Sequence, residues 1–181
     1  YESINYALRP AKAIERRMLC EVFRRLYPFQ PIDEYGYVGL GSIYFTDFQL
    51  VHRDLGITEL ISIERESENA DRFRLNLPFG CIDLRFSESK EVLPNLDWAK
   101  RRIVWLDYDG RLDQDVLADV GTVTTKAAPG SMLILSVNGQ AESEPPEEQR
   151  HHVEVKSGEK FCVHAYRLQQ LTKRLAGKVP K

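Results

Sequence analysis

Five short apolar runs recur along the chain: Tyr35–Leu40, Leu60–Ile63, Cys81–Phe86, Arg102–Leu106 and Ser131–Val137. Each has the length and the bounding turn residues of a strand. The first alternates poorly, as a central parallel strand buried on both faces does. Between them the period changes to that of helices. Arg9–Tyr27 carries Ile14, Met18, Val22 and Leu26 at four-residue spacing, with Leu19 and Phe23 widening the stripe. That spacing predicts a helix with the stripe as its apolar face. Pro10 suits the first turn, and Pro28 and Pro31 end the helix. Thr46–Gly56 repeats the pattern through Phe48, Val51 and Leu55. Ser67–Leu77, Leu112–Lys126 and Cys162–Leu175 are the remaining helical stretches. Ala141–Arg150, rich in Glu and Pro and without an apolar period, reads as a loop or a mobile insertion.

Strands alternating with helices imply an α/β chain with a Rossmann-like, doubly wound, mostly parallel sheet in one three-layer α/β/α domain. Residues 1–34 read as an N-terminal helix and lead-in capping the site, and 35–140 as the cofactor-binding core. Residues 141–181 then form an acidic loop and C-terminal segment of the same domain.

Composition narrows the classes. A chain of 181 residues with 43% hydrophobic and 29% charged residues has room for one sizeable core. A net charge of −2 does not indicate nucleic acid, although the basic helix from Arg9 to Arg25 leaves contact with phosphate open. The three cysteines, Cys20, Cys81 and Cys162, suggest no disulfide framework, so a reducing, cytoplasmic home is expected. No apolar run approaches the about 18 residues that span a bilayer, so no membrane partner is expected. The chain begins at Tyr1, which reads as a portion of something longer. Oligomeric state is left open.

The chemistry concentrates in Tyr35–Glu64. A short strand runs into a glycine turn, Gly39-Leu40-Gly41-Ser42, then a helix, then a second strand closing on Glu64. This is half of a mononucleotide-binding unit. Gly39 and Gly41 let the backbone turn and approach a ligand closely. Glu64 stands 23 residues after Gly41, near the distance at which such folds place an acid on ribose hydroxyls. A dinucleotide-type pattern needs glycine where Tyr44 stands, which weakens an NAD-dependent reading and leaves a nucleoside-binding one.

Other candidates follow from position. Ligands of open α/β sheets bind at the carboxyl ends of strands, so Asp107 and Asp109, just past the fourth run, point where chemistry would occur. Ser87 and Glu88 follow the third strand, where Ser87 reads equally as a helix N-cap. Arg9, Lys12 and Arg16 share a helix face that is either a solvated cationic surface or a basic edge meeting an anion. His52 reads either as a base facing the site or as a packed residue. His151, His152, Cys162 and His164 match no zinc spacing, and no metal is expected.

The order of these features, with a glycine turn, an acid ending strand two, a small polar turn after strand three and an acid after strand four, resembles a class I S-adenosylmethionine-dependent methyltransferase. More narrowly, Leu8–Lys12, Val38–Phe45, Leu55–Ile57, Ile61–Glu64 and Leu106–Gly110 resemble a bacterial family labelled "putative O-methyltransferase". The resemblance covers roughly residues 5–140. It implies S-adenosyl-L-methionine as cofactor, with Gly39, Leu40, Gly41 and Ser42 on its amino-acid part. Glu64 would then serve its ribose, with Arg65 also cofactor-binding, and Ser87 and Glu88 would sit near its adenine. Asp107 would lie near the methionine amino group or the acceptor. Asp107 and Asp109 become the catalytic candidates, and Arg9, Lys12, Arg16, Tyr44 and His52 the candidates for an unknown acceptor substrate. Asp107, Asp109 and Asn138 faintly resemble a magnesium arrangement that lacks a partner residue. The alternative is a catalytically inactive Rossmann-like binding or partner module. It is favoured by Ile43 in place of a third glycine, by no legible closing hairpin after Gln140 and by the lack of an Asn-Pro-Pro-Tyr-like tetrapeptide.

Overall fold

The computed structural model describes residues 10–147 and 162–176. Strands β1 (Gly36–Leu40), β2 (Glu59–Glu64), β3 (Ile82–Phe86), β4 (Arg102–Asp107) and β5 (Met132–Ser136) form one sheet in the order β3-β2-β1-β4-β5. Every neighbouring pair is parallel. Helices α1 (Pro10–Arg24), α2 (Thr46–Leu55), α3 (Ala70–Leu75), α4 (Ser89–Val92), α5 (Gln114–Lys126) and α6 (Val163–Arg174) accompany it. This is the Rossmann-like doubly wound α/β fold, and its described strands are wholly rather than mostly parallel. The order reverses between β1 and β4, which opens the crevice where ligands of such sheets bind.

Alternating side chains of the strands feed two cores. Tyr37, Leu60, Ile103 and Trp105 pack with Phe23, Phe48 and Phe73 on the α1–α3 face. Val38, Ile61, Val104 and Leu106 pack with Leu93 and Val123 on the α4–α5 face. α2 buries Phe48, Val51 and Leu55, the face its spacing predicts, and ends on Gly56 in the left-handed region. The stretch expected as one helix from Ser67 begins as a tight turn over Ser67–Asn69 before α3.

α1 departs from expectation in its rotation. Of the predicted stripe, Leu26 and Phe23 are buried and Leu19 is half-buried, while Ile14, Met18 and Val22 are 60%, 64% and 44% exposed. Arg16, Cys20 and Phe23 face the core instead. Positions 14 and 16 lie about 200° apart around a helix, so the two stripes cannot both face inward. Ion pairs made by Lys12 and Arg16 decide which does. Phe23→Ala should therefore cost about 3 kcal/mol and Met18→Ala less than about 0.5 kcal/mol. Urea denaturation of the two variants measures the contrast, and equal losses would restore the stripe as core.

Arg102 opens β4 at 2% exposure, directly opposite Gly36 in register. Its Nη2 donates to Glu59 Oε1 at 2.7 Å and its Nε to the Asp97 carbonyl at 3.1 Å. A Cβ on Gly36 would meet Arg102 Nη1 at 2.5 Å, so the pair needs glycine there.

The segment expected as a loop or mobile insertion is a loop through Glu147, and Glu142 anchors it. Arg111 and Arg174 pair with its carboxylate, and Arg167 donates to its carbonyl at 3.2 Å. His151 and His152 lie outside the described residues. Among the described residues no helix is long and apolar enough to cross a membrane.

Candidate functional site at the carboxyl edge of the sheet

The ends of β1, β2 and β4 bring most of the expected residues to one edge. Gly41 N–H donates to the Ile63 carbonyl at 3.0 Å, which ties the glycine turn to β2. Residues i and i+2 of a strand share a face, so Ser62 and Glu64 both point toward that turn. Glu64 is 4% exposed and accepts from Ser62 Oγ at 2.8 Å. A Cβ on Gly41 would collide with Glu64 Oε1 and Ser62 Oγ. The carboxylate therefore lies directly against the bend. Glycine at 41 is what lets the carboxylate lie this close, and no positive φ is involved.

Burial pushes the Glu64 carboxyl up to about 7, against the opposing Ser62 hydrogen bond and with help from the nearby Glu66 charge. Among the described residues Ser62 is the donor serving this buried acid. Such an acid is poorly satisfied by its own chain and well suited to accept from incoming hydroxyls.

The turn closes without a third glycine. Phe45 N–H donates to the Ser42 carbonyl at 3.0 Å, and Phe45 itself takes the left-handed conformation at φ 47. That conformation is unfavourable for a residue with a Cβ. Edge-on packing of the fully buried ring against Phe48 and Phe73 holds it in place. Tyr44 is left exposed, its carbonyl accepting from Gln49 Nε2 at 2.9 Å.

α1 lies over the same edge. Lys12 Nζ donates to Asp107 Oδ2 at 2.8 Å and Oδ1 at 3.0 Å, pairs with Glu15 at 3.1 Å, and stands 5.5 Å from the Trp105 ring centre. Burial lowers the Lys12 pKa, but the hydrogen bonds and charges of Asp107 and Glu15 outweigh it, and the ammonium is held above its ordinary value. The buried Arg16 pairs with Asp47 in the first turn of α2. Burial raises the Asp47 carboxyl, Arg16 opposes that, and the Asp107 charge adds to it. Two cations of α1 thus interleave with two carboxylates at the switch point between β1 and β4. Lys12 and Arg16 therefore form no solvated face: they meet the chain's own carboxylates at this edge. Arg9 lies outside the described residues.

Two expectations need correction. His52 sits in the last turn of α2, at the amino edge of the sheet, where its Nδ1 meets the Ile57 carbonyl at 2.8 Å and its ring lies tilted against Phe79, centroids 4.3 Å apart. It is a packing residue far from the carboxyl edge, because α2 runs away from that edge. Ser87 does not cap α4: Glu88 holds the cap position without a side-chain cap bond, and Ser87 Oγ pairs with Glu91. Glu88 is exposed and paired with Lys90 at 2.6 Å, whose hydrogen bond lowers the Glu88 pKa. Arg65 is also exposed, one residue beyond Glu64. Asp109 is exposed past Asp107, and Asn138 N–H donates to the Gly110 carbonyl at 2.8 Å, joining the loops after β4 and β5.

Sequence reasoning passed over Ser62 and Asp119. For Ser62 the signal was a hydroxyl two residues before Glu64 within an apolar strand. For Asp119 it was a carboxylate placed between Val116 and Val123 at three- and four-residue spacing, on the buried side of α5.

A model of the family described as "Putative O-methyltransferase" matches residues 4–181. No curated protein matches the chain.

Proposed function

The chain belongs to this methyltransferase family, and from that premise we propose that it transfers a methyl group from S-adenosyl-L-methionine to an oxygen acceptor. The observation carrying the reading is Glu64, a buried carboxylate with Ser62 as its one donor among the described residues, lying against a turn position where any Cβ would displace it. A nucleoside fits this arrangement because its ribose brings two hydroxyl donors to the acid while the bare turn lets it approach. When bound, S-adenosyl-L-methionine supplies an electrophilic methyl group on a sulfonium.

The chain's own residues orient and hold. Gly39, Leu40, Gly41 and Ser42 present backbone to the amino-acid part, Glu64 with Arg65 serves the ribose, and Ser87 and Glu88 flank the base. Asp107 serves as proton acceptor for the attacking hydroxyl, with Asp109 beside it. Lys12, kept protonated by Asp107 and Glu15, cannot take a proton near neutral pH. It fixes the Asp107 carboxylate and, with Arg16 and Tyr44, lies on the side proposed for the acceptor. Positioning of this kind supplies a large share of a displacement barrier.

Calorimetric titration with S-adenosyl-L-methionine at pH 8 tests the cofactor. Saturable binding is expected, and no heat at about 1 mM cofactor, near the weak limit of a useful site, would sink the reading. Tracing a labelled methyl group into hydroxylated acceptors tests the oxygen. Binding without any transfer would favour a module that keeps the fold without turnover.

A further inference from the structure

We propose that Asp119 is a positioning residue for the site: from within α5 it holds together, through Ser89 and Tyr108, the two segments that follow β3 and β4. The inference rests on the cofactor reading above. Asp119 is 2% exposed on a helix whose other buried residues are Val116 and Val123. A carboxylate in such a place is costly unless hydrogen-bonded, and an apolar residue of similar size would serve packing as well or better. Both donors to it, Tyr108 Oη and Ser89 Oγ, converge on the same oxygen, Oδ2. The two hydroxyls stand 3.5 Å apart.

The origin of the two donors carries the argument. β3 and β4 are not neighbours, since β2 and β1 lie between them. Segments leaving the two strands meet at one oxygen only by closing behind the ends of β1 and β2, where Gly41 and Glu64 sit. Tyr108 stands between Asp107 and Asp109. Its ring packs on the α4–α5 face, while Asp107 reaches Lys12 on the opposite face. On the other side Tyr108 N–H donates to the Ser136 carbonyl at 2.9 Å. Burial and the Asp119 hydrogen bond raise the phenol's pKa, so the hydroxyl stays a donor across the working range. Anchoring Tyr108 from behind fixes the backbone that aims both proposed acids, and anchoring Ser89 fixes the turn holding Ser87 and Glu88.

The test compares Tyr108→Phe, Asp119→Asn and Asp119→Ala with the wild type, well below their melting temperatures. Affinity for S-adenosylhomocysteine is read by calorimetry, and loop order by amide hydrogen exchange. Tyr108→Phe and Asp119→Ala should weaken binding about tenfold, the loss expected for one buried hydrogen bond. They should also speed exchange in 87–89 and 107–111 together. Asp119→Asn keeps an acceptor oxygen and should restore binding to within about threefold of wild type. A lowered melting temperature with wild-type affinity and unchanged exchange in both segments would overturn the proposal, because a merely structural residue behaves that way. Failure of the wild type to bind would sink the cofactor reading instead. The paired exchange response would then still decide whether Asp119 joins the two loops.

Discussion

Gly41→Ala is expected to weaken S-adenosyl-L-methionine binding by at least about 100-fold while leaving a folded protein. The added Cβ would occupy the space of Glu64 Oε1 and Ser62 Oγ, so the glutamate must leave its pocket. Two charge-assisted hydrogen bonds to ribose would go with it, worth together about 3 kcal/mol, which is the stated hundredfold. The fold should survive because the displaced group is an ionisable end whose burial is itself unfavourable when charged. At pH 8, swinging out rehydrates a carboxylate and offsets the lost packing. At pH 5 it exposes a neutral acid that was content inside. The variant's melting temperature should therefore lie closer to wild type at pH 8 than at pH 5. In Gly39→Ala the Cβ would press on Tyr37 at 3.1 Å and Phe48 at 3.3 Å without reaching the acid, so its loss of affinity should fall well short of that of Gly41→Ala. Unchanged affinity in Gly41→Ala would remove Glu64 from the site.

Glu64→Gln should raise stability and lower affinity at once. The folded-state pKa of about 7 lies above the ordinary value of 4.5. Between those two values the native state keeps a proton that the unfolded chain has lost. Stability therefore falls as pH rises through that window and stays lowered above it. The full effect is roughly 3 kcal/mol, an upper figure because a carboxylate at the site edge draws in water. Glutamine, uncharged at every pH, escapes the loss. Its thermal midpoint should exceed wild type at pH 8 and match it at pH 5. Ribose hydroxyls favour the ionised acid, so wild-type affinity should climb toward pH 8, with up to one proton released on binding. Titrations in buffers of different ionisation enthalpy count that proton. The variant should show weak, pH-independent binding, and a pH profile that follows wild type would place the titration elsewhere.

What the chain disclosed in advance divides by range of interaction. The five strands, the glycine turn and Glu64 were legible because each is written in a few adjacent residues. The facing of α1 was not. Its apolar stripe at Ile14, Met18 and Val22 is a fair local argument for a core face. The helix is turned instead by partners 31 and 95 residues away, Asp47 and Asp107. A periodic pattern cannot register them. The choice between the two readings of His52 is closed to the sequence for a related reason, since helix membership alone does not tell which end of the sheet a residue reaches. Ser62 and Asp119 were written in the sequence as polar breaks in apolar patterns, signals that register only when interruptions are read as carefully as the periods they interrupt.

Gly36 and Arg102 carry a consequence for how this chain can change over generations. The guanidinium fills the volume that any larger residue at 36 would need, and the neighbouring strand supplies Glu59 to keep it there. The two positions do not drift independently. A line of descent that trades the arginine for a smaller side chain loses its reason to keep glycine opposite, whereas one that first gains a methyl group at 36 meets a steric wall. The two sites are thus inherited as a unit, and the order in which they are released is set by geometry.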